Sequence, residues 1–207
     1  MTSTPSNSIP DDTYEELIQA TIAALSKHGY AQVGVRDIDE EFSKSRQLIN
    51  HYFDGKNDLI TELLLYLIES NDGEWATSAD DDPLSRLNQT VDETLLGTQT
   101  DDSRFWPVVS AMYEIQSQAH YHQEHQELIN QTDARFINHI SKILEDGIEQ
   151  GVFNDVDTER VARIIDDLIT GSHIRKICLG QDDAPVDTRE SIDRFIVSQL
   201  LVDSDAE

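Results

Sequence analysis

The sequence predicts an all-α chain of about nine helices, three short ones ahead of a larger helical bundle. Three observations carry that reading. Apolar residues recur at helical spacing in successive segments, no segment sustains the alternation of a half-buried strand, and Gly29, Pro83 and Gly151 stand where segments stop or start. At 207 residues with 38% hydrophobic content the chain can bury a sizeable core. It holds 41 acidic against 15 basic residues, a formal net charge of -26. One cysteine, Cys178, excludes an internal disulfide and a four-thiolate zinc site and fits a reducing compartment. No apolar run reaches the roughly 18 residues needed to span a bilayer, and Met1 to Pro10 lacks a basic start and an apolar stretch for export. A soluble, cytoplasmic protein with no membrane partner is expected.

The first dozen residues, rich in Ser, Thr, Pro and Asp, read as a disordered lead. Thr13, with Glu16 three residues on, is placed to cap a first helix through Leu17, Ile18, Ile22 and Leu25, stopped by Gly29. Val35, Ile38 and Phe42 mark a second, and a third follows Ser43 or Ser45 with Ile49, Tyr52 and Phe53 inward. The Asp54-Gly55 turn introduces a fourth from Lys56 to about Ser70. After a polar break at Thr77 to Asp82, Pro83 opens a segment to about Leu96. Further helices run from Ser103 to about Tyr121, from Gln123 to Gln150, from a cap at Asp157 or Thr158 to about Leu179, and from near Asp187 to Val202.

The stretch Gly29-Tyr30, Val35-Arg36-Asp37-Ile38, Ser45, and Ile49-Asn50-His51-Tyr52-Phe53-Asp54-Gly55-Lys56-Asn57-Asp58-Leu59 resembles, without a gap, the N-terminal region of the TetR (tetracycline repressor) family. The resemblance implies a helix-turn-helix over residues 13–58 that reads operator DNA. It also implies an all-α part over 59–207 that binds a small effector and dimerises. Here the turn is Ser43-Lys44-Ser45 where the family has a small Gly-Val-Ser-like sequence, Gln47 stands for Gly or Ala, and Asn50 for Tyr. The physics of the third helix agrees. With Ile49 and Phe53 inward, the roughly 100° step turns Gln47, Asn50 and His51 outward, and Gln and Asn match adenine's paired donor and acceptor. Leu48 at the edge suits a thymine methyl, and Tyr52 is a further candidate for DNA contact. Lys56 and the amides opening the fourth helix, with Arg36 and Lys44 or Arg46, are candidates for phosphate contacts, and Ser45 is expected among the DNA-binding residues. The acidic run Asp37, Asp39, Glu40 and Glu41 opposes the approach of phosphate.

In the C-terminal half, Ile164, Ile165, Leu168, Ile169 and Ile177, then Ile192, Phe195, Ile196 and Leu200, form apolar stripes. Periodicity alone leaves open whether they pack within one subunit. The resemblance implies a homodimer through the last two helices, with Ile165, Leu168, Ile169, Ile192, Phe195 and Ile196 at the seam, matching a palindromic operator. Val156 to Gly180, including Asp166-Asp167-Leu168-Ile169-Thr170-Gly171, resembles the BetI-like branch. Trp106, Met112, Tyr113, Gln116, His120, Phe136 and His139 supply the apolar and polar groups of an effector pocket, and aromatic with acidic groups suit a cation. His120, His122 and His125 invite a metal reading, but the spacing lacks the zincin pattern and no metal or cofactor is expected. Cys178 reads as a small buried hydrophobe.

The expected function is therefore a DNA-binding transcriptional regulator, a repressor released from double-stranded operator DNA by a small effector, and not an enzyme. The alternative is an all-α dimeric ligand-binding or interaction module that has lost DNA binding, motivated by the charge of -26 and the altered turn. Asp-rich composition with five lysines suits molar salt, where carboxylates stay hydrated and the Debye length is about 3 Å, so a halophilic, haloarchaeal-like character is expected.

Overall fold

The computed structural model describes residues 9–74, 82–100 and 102–202. Among these residues the fold is nine helices with no strand: α1 (Asp11–His28), α2 (Val35–Glu41), α3 (Arg46–Tyr52), α4 (Lys56–Glu74), α5 (Pro83–Leu96), α6 (Asp102–Gln118), α7 (Gln123–Glu149), α8 (Thr158–Leu179) and α9 (Ala184–Ile192). A 3₁₀ turn, Ala119–Tyr121, joins α6 to α7. Helix α9 continues through a π-helical turn, Asp193–Val197, into a last turn, Ser198–Leu200. The helices group into two compact units, Met1–Asn71 with Ser103–Gln131, and Asp72–Asp102 with Thr132–Glu207. This packing division differs from a cut after residue 58, because α4 and α6 share the core of the first three helices.

In the first unit the apolar stripe of each helix faces one core: Leu17, Ile18 and Leu25 of α1, Ile38 of α2, Ile49 of α3, Leu59, Ile60, Leu63 and Leu64 of α4, and Ile115 of α6. Gly29 ends α1 at φ +71, a left-handed geometry that costs a side-chain-bearing residue energy, and its amide bonds Leu25 at 2.8 Å. Helix α1 begins at Asp11, after Pro10, two residues before the cap expected from the sequence. Thr13 is buried in the first turn, where its hydroxyl accepts a 2.7 Å bond from Lys44 Nζ, so it is unavailable as an N-cap. The expected lead of residues 1–12 and the break at 77–82 lie largely outside the described residues.

The second unit packs Leu87, Val91 and Leu95 of α5 with Ile140, Ile143 and Leu144 of α7, Ile165 and Ile169 of α8, and Ile192 of α9. Asp82 caps α5 through Ser85 N–H at 3.0 Å, just ahead of the expected start at Pro83, and Asp157, one of the two caps expected for α8, caps it through Arg160 N–H at 3.1 Å. The Arg189 guanidinium ties α9 to α5 through Asp92 and Asn88, and it also pairs with Asp193. Helix α9 starts earlier than Asp187 because Pro185 fits a first helical turn, where no donor is missed.

Candidate nucleic-acid interface

Helix α3 is short and held at both ends. Ser45 Oγ accepts the Gln47 N–H at 3.2 Å, and Phe53 N–H bonds the Ile49 carbonyl at 2.9 Å. Ile49 and Phe53, 1% and 5% exposed, enter the core, while Leu48 and Tyr52 pack at its edge. Arg46, Gln47, Asn50 and His51 are exposed, and the His51 ring meets the edge of Tyr52 at 4.7 Å. The helix thus turns an apolar side to its own unit and a polar side to solvent, the division a major-groove reader requires. Ahead of it, Asp37 accepts the Gly34 N–H at 2.7 Å, so one acidic residue of α2 works as a cap. Arg36 is exposed and pairs with Glu40 at 3.4 Å, an i, i+4 contact that a phosphate can displace at little cost.

The two lysines expected at phosphates are engaged by the chain itself. Lys44 bonds Asp12 at 3.2 Å and Glu16 at 3.4 Å besides Thr13; it holds the Asp12 carboxyl below its usual value, while that of Glu16 is lowered first by Ser43, whose N–H it accepts at 2.9 Å, and then by Lys44. Lys56 donates to the Tyr30 carbonyl at 2.9 Å and lies 4.4 Å over the Tyr30 ring. Burial lowers its proton affinity. Sequence reasoning missed the group that completes this corner: Glu114 of α6 accepts the Tyr30 N–H at 2.9 Å. Eighty-four positions separate the two residues, so no local pattern exposes the pair.

Of the residues expected at a dimer seam, Ile165, Ile169 and Ile192 are 0%, 3% and 0% exposed and lie in the core of their own unit. They are unavailable to a second copy. Leu168 and Phe195 are exposed and Ile196 partly so, and Ile164, in line with Leu168 on α8, joins them. Phe195 is 67% exposed beneath the Arg194 guanidinium at 5.5 Å. Cys178, expected inside, is exposed on α8.

The residues expected around an effector fall in different units: Trp106, Met112, Tyr113, Gln116 and His120 in the first, Phe136 and His139 in the second. Gln116 and His120 are exposed, and Phe136 is core. His139 meets Thr90 Oγ1 at 3.3 Å, and burial, then Arg86 and Lys142, lower its proton affinity. A shallow groove of ≈ 340 Å³ in the first unit is lined instead by Gln19, Ile22, Ala23, Ser26, Lys27, Ser103, Arg104 and Pro107. The second unit also brings Asp166 of α8 beside Asp133 of α7. Burial, with Asp133 and Asp167 beside it, pushes Asp166 up to about 6, and burial also raises Asp133. Among the described residues no group of three or more His, Cys, Asp or Glu is placed to hold a metal, and no helix is long and apolar enough to cross a membrane.

Residues 17–63 match the family described as bacterial regulatory proteins, tetR family, and residues 83–201 match the BetI-type transcriptional repressor C-terminal family. The chain belongs to the TetR family. It is therefore a DNA-binding transcriptional regulator with a BetI-type C-terminal domain, and not an enzyme. TetR-family regulators bind operator DNA and small-molecule effectors and form dimers. The chain is similar to the HTH-type transcriptional regulator BetI of Vibrio campbellii, at 24% identity over 189 residues covering 80% of this chain and 94% of that one. A TetR transcription regulator from Haloarcula marismortui superposes with a TM-score of 0.82 at 30% identity, over 93% of this chain and 100% of the other. A transcriptional regulator from Saccharomonospora viridis, solved in complex with choline, shares the fold at TM-score 0.82 and 19% identity, over 94% of this chain and 100% of the other.

Proposed function

We propose that this TetR-family regulator is a repressor that binds a two-fold operator as a homodimer and is released by a small organic cation, with choline the first to test. The observation that carries the DNA reading is helix α3, whose Gln47, Asn50 and His51 are exposed opposite a buried Ile49. Arg36, Arg46 and Ser45 flank that face and supply the positioning contacts to phosphate, with Lys56 fixing the start of α4 rather than reaching out. The dimer seam proposed from exposure is Ile164, Leu168, Phe195 and Ile196, because an apolar face left outside its own core gains most from a second copy. The choline complex of the Saccharomonospora protein supports the effector class. In this chain the half-buried Asp133 and Asp166 carry charge at a desolvation cost that a bound cation would offset. The proposed functional division is residues 13–58 for DNA and 59–207 for effector and dimer, after a lead over residues 1–12. Selection of bound genomic fragments in molar KCl, followed by choline titration of the selected complex, tests the reading. Recovery of no preferred sequence overturns operator recognition, and a complex indifferent to choline overturns the effector assignment.

A further inference from the structure

His125 is the most enclosed titratable group near the DNA-reading helices. It stands in the first turn of α7 at 2% exposure, with Nε2 3.3 Å from the Asn57 carbonyl of α4. A carbonyl only accepts, so Nε2 must carry the proton, and the buried Nδ1 is a lone pair that finds no hydrogen-bond partner among the described residues. Asn57 is the second residue of α4, four positions beyond the cap that ends α3. The same corner is tied from other sides. Tyr30 donates its phenol to Asn57 Oδ1 at 3.4 Å, accepts Lys56 at its carbonyl, and gives its N–H to Glu114.

We propose that His125 is a proton-sensitive latch that seats the first turn of α4, and through it the recognition helix, on the start of α7. The regulatory part of this inference rests on the operator-binding reading above. A second proton on the imidazole would place a cationic N–H at Nδ1, a buried atom with no hydrogen-bond partner among the described residues. Of the titratable groups meeting there, His122, with its ring 5.1 Å away, opposes the added charge, and Glu124 favours it. Lys56 and Glu114 are already engaged by Tyr30. Burial outweighs the favourable contributions and holds His125 below the usual imidazole value. The sign follows. An unseated His125 takes protons more readily than a seated one, so seating is complete above the ordinary value of about 6.5 and weakens as pH falls through and below it. Acidification therefore loosens α4 and releases DNA.

The test uses the full chain at constant high KCl between pH 8 and 5.5. Amide exchange at Leu59, Ile60 and Thr61, corrected for intrinsic pH dependence, reports seating without DNA, and the His125 ring resonance reports its protonation. Anisotropy of a selected operator fragment reports binding. We expect protection of α4 to be lost with the midpoint of the His125 titration, and operator affinity to fall about tenfold, the factor for one pH unit of linked protonation. His125→Gln keeps an Nε2–H donor that does not titrate, and should flatten both curves, while His122→Gln should leave them in place. Exchange at α4 that ignores the His125 titration overturns the latch, as does operator affinity that stays constant while α4 loosens. A folded His125→Gln protein with the original pH response overturns it as well. Should that variant not fold, the coincidence of midpoints in the unaltered protein decides. If no DNA is bound at any pH, the operator reading has failed, and exchange at α4 alone still judges the latch.

Discussion

Two neighbours on α3 separate folding from reading. Ile49 is 1% exposed and Asn50 is exposed, so replacing each by Ala removes packing from one and a polar head from the other. Ile49→Ala deletes three buried carbons, worth roughly 2.4 kcal/mol in transfer at about 0.8 kcal/mol per methylene, and the cavity brings the loss to about 3 kcal/mol. For a chain of this size that lowers Tm by about 6–12 °C. Asn50→Ala, at an exposed helical position, should leave stability within about 0.5 kcal/mol. If Asn50 makes a paired contact to a base, its removal costs about 1–3 kcal/mol at the operator, about 5- to 160-fold in Kd, and nothing on unrelated DNA. Chemical unfolding of both variants, and anisotropy with operator and scrambled duplexes in the same buffer, measure the two effects. Equal loss on both duplexes for Asn50→Ala would show that the residue does not read sequence. An unchanged unfolding midpoint for Ile49→Ala would refute the inward placement on which the whole polar face depends.

In sedimentation, Leu168→Asp and Phe195→Asp should shift the protein toward monomer while leaving it folded, whereas Ile165→Asp should unfold the second unit, since it buries an unpaired carboxylate. A folded dimer in all three moves the seam elsewhere. Asp166 titrates near 6 in the folded chain, above an ordinary 3.8, so the folded state holds the extra proton between those values and its stability falls as pH rises through them. Asp166→Asn should reduce that slope, leaving the part that the raised Asp133 contributes, and choline should bind more tightly above pH 6 than below it if it seats beside the ionised carboxylate; calorimetry across pH 5 to 7.5 checks both. With 41 acidic against 15 basic residues, thermal stability should rise from dilute buffer to above about 1 M KCl as carboxylate repulsion is screened. A flat or falling Tm across that titration would leave the acidity without a physical account.

The chain's local patterns were sufficient for the helices and for the polar face of α3. The 3.6-residue period, the cap at Asp157 and the outward Gln47, Asn50 and His51 all follow from neighbours a few positions apart. Even there, the start of α1 was misplaced. Thr13 has the chemistry of a cap, but Lys44, thirty-one residues away, claims its hydroxyl within the unit.

What the sequence by itself determined, then, was the set of helices, their apolar stripes and the family motif, because each depends on spacing along one segment. Tertiary structure decided which member of a stripe faces its own core. On α8 the stripe is broad enough that Ile165 and Ile169 fill the unit while Ile164 and Leu168 remain outside, and spacing treats all four alike. It likewise decided which cations are free. Lys44 and Lys56 look like phosphate ligands until Asp12, Glu16 and Tyr30 are folded against them. Glu114 and His125 acquire a role only when α6 and α7 meet Tyr30 and Asn57. A hydrogen bond reads distance in space, and those pairs lie 84 and 68 positions apart along the chain.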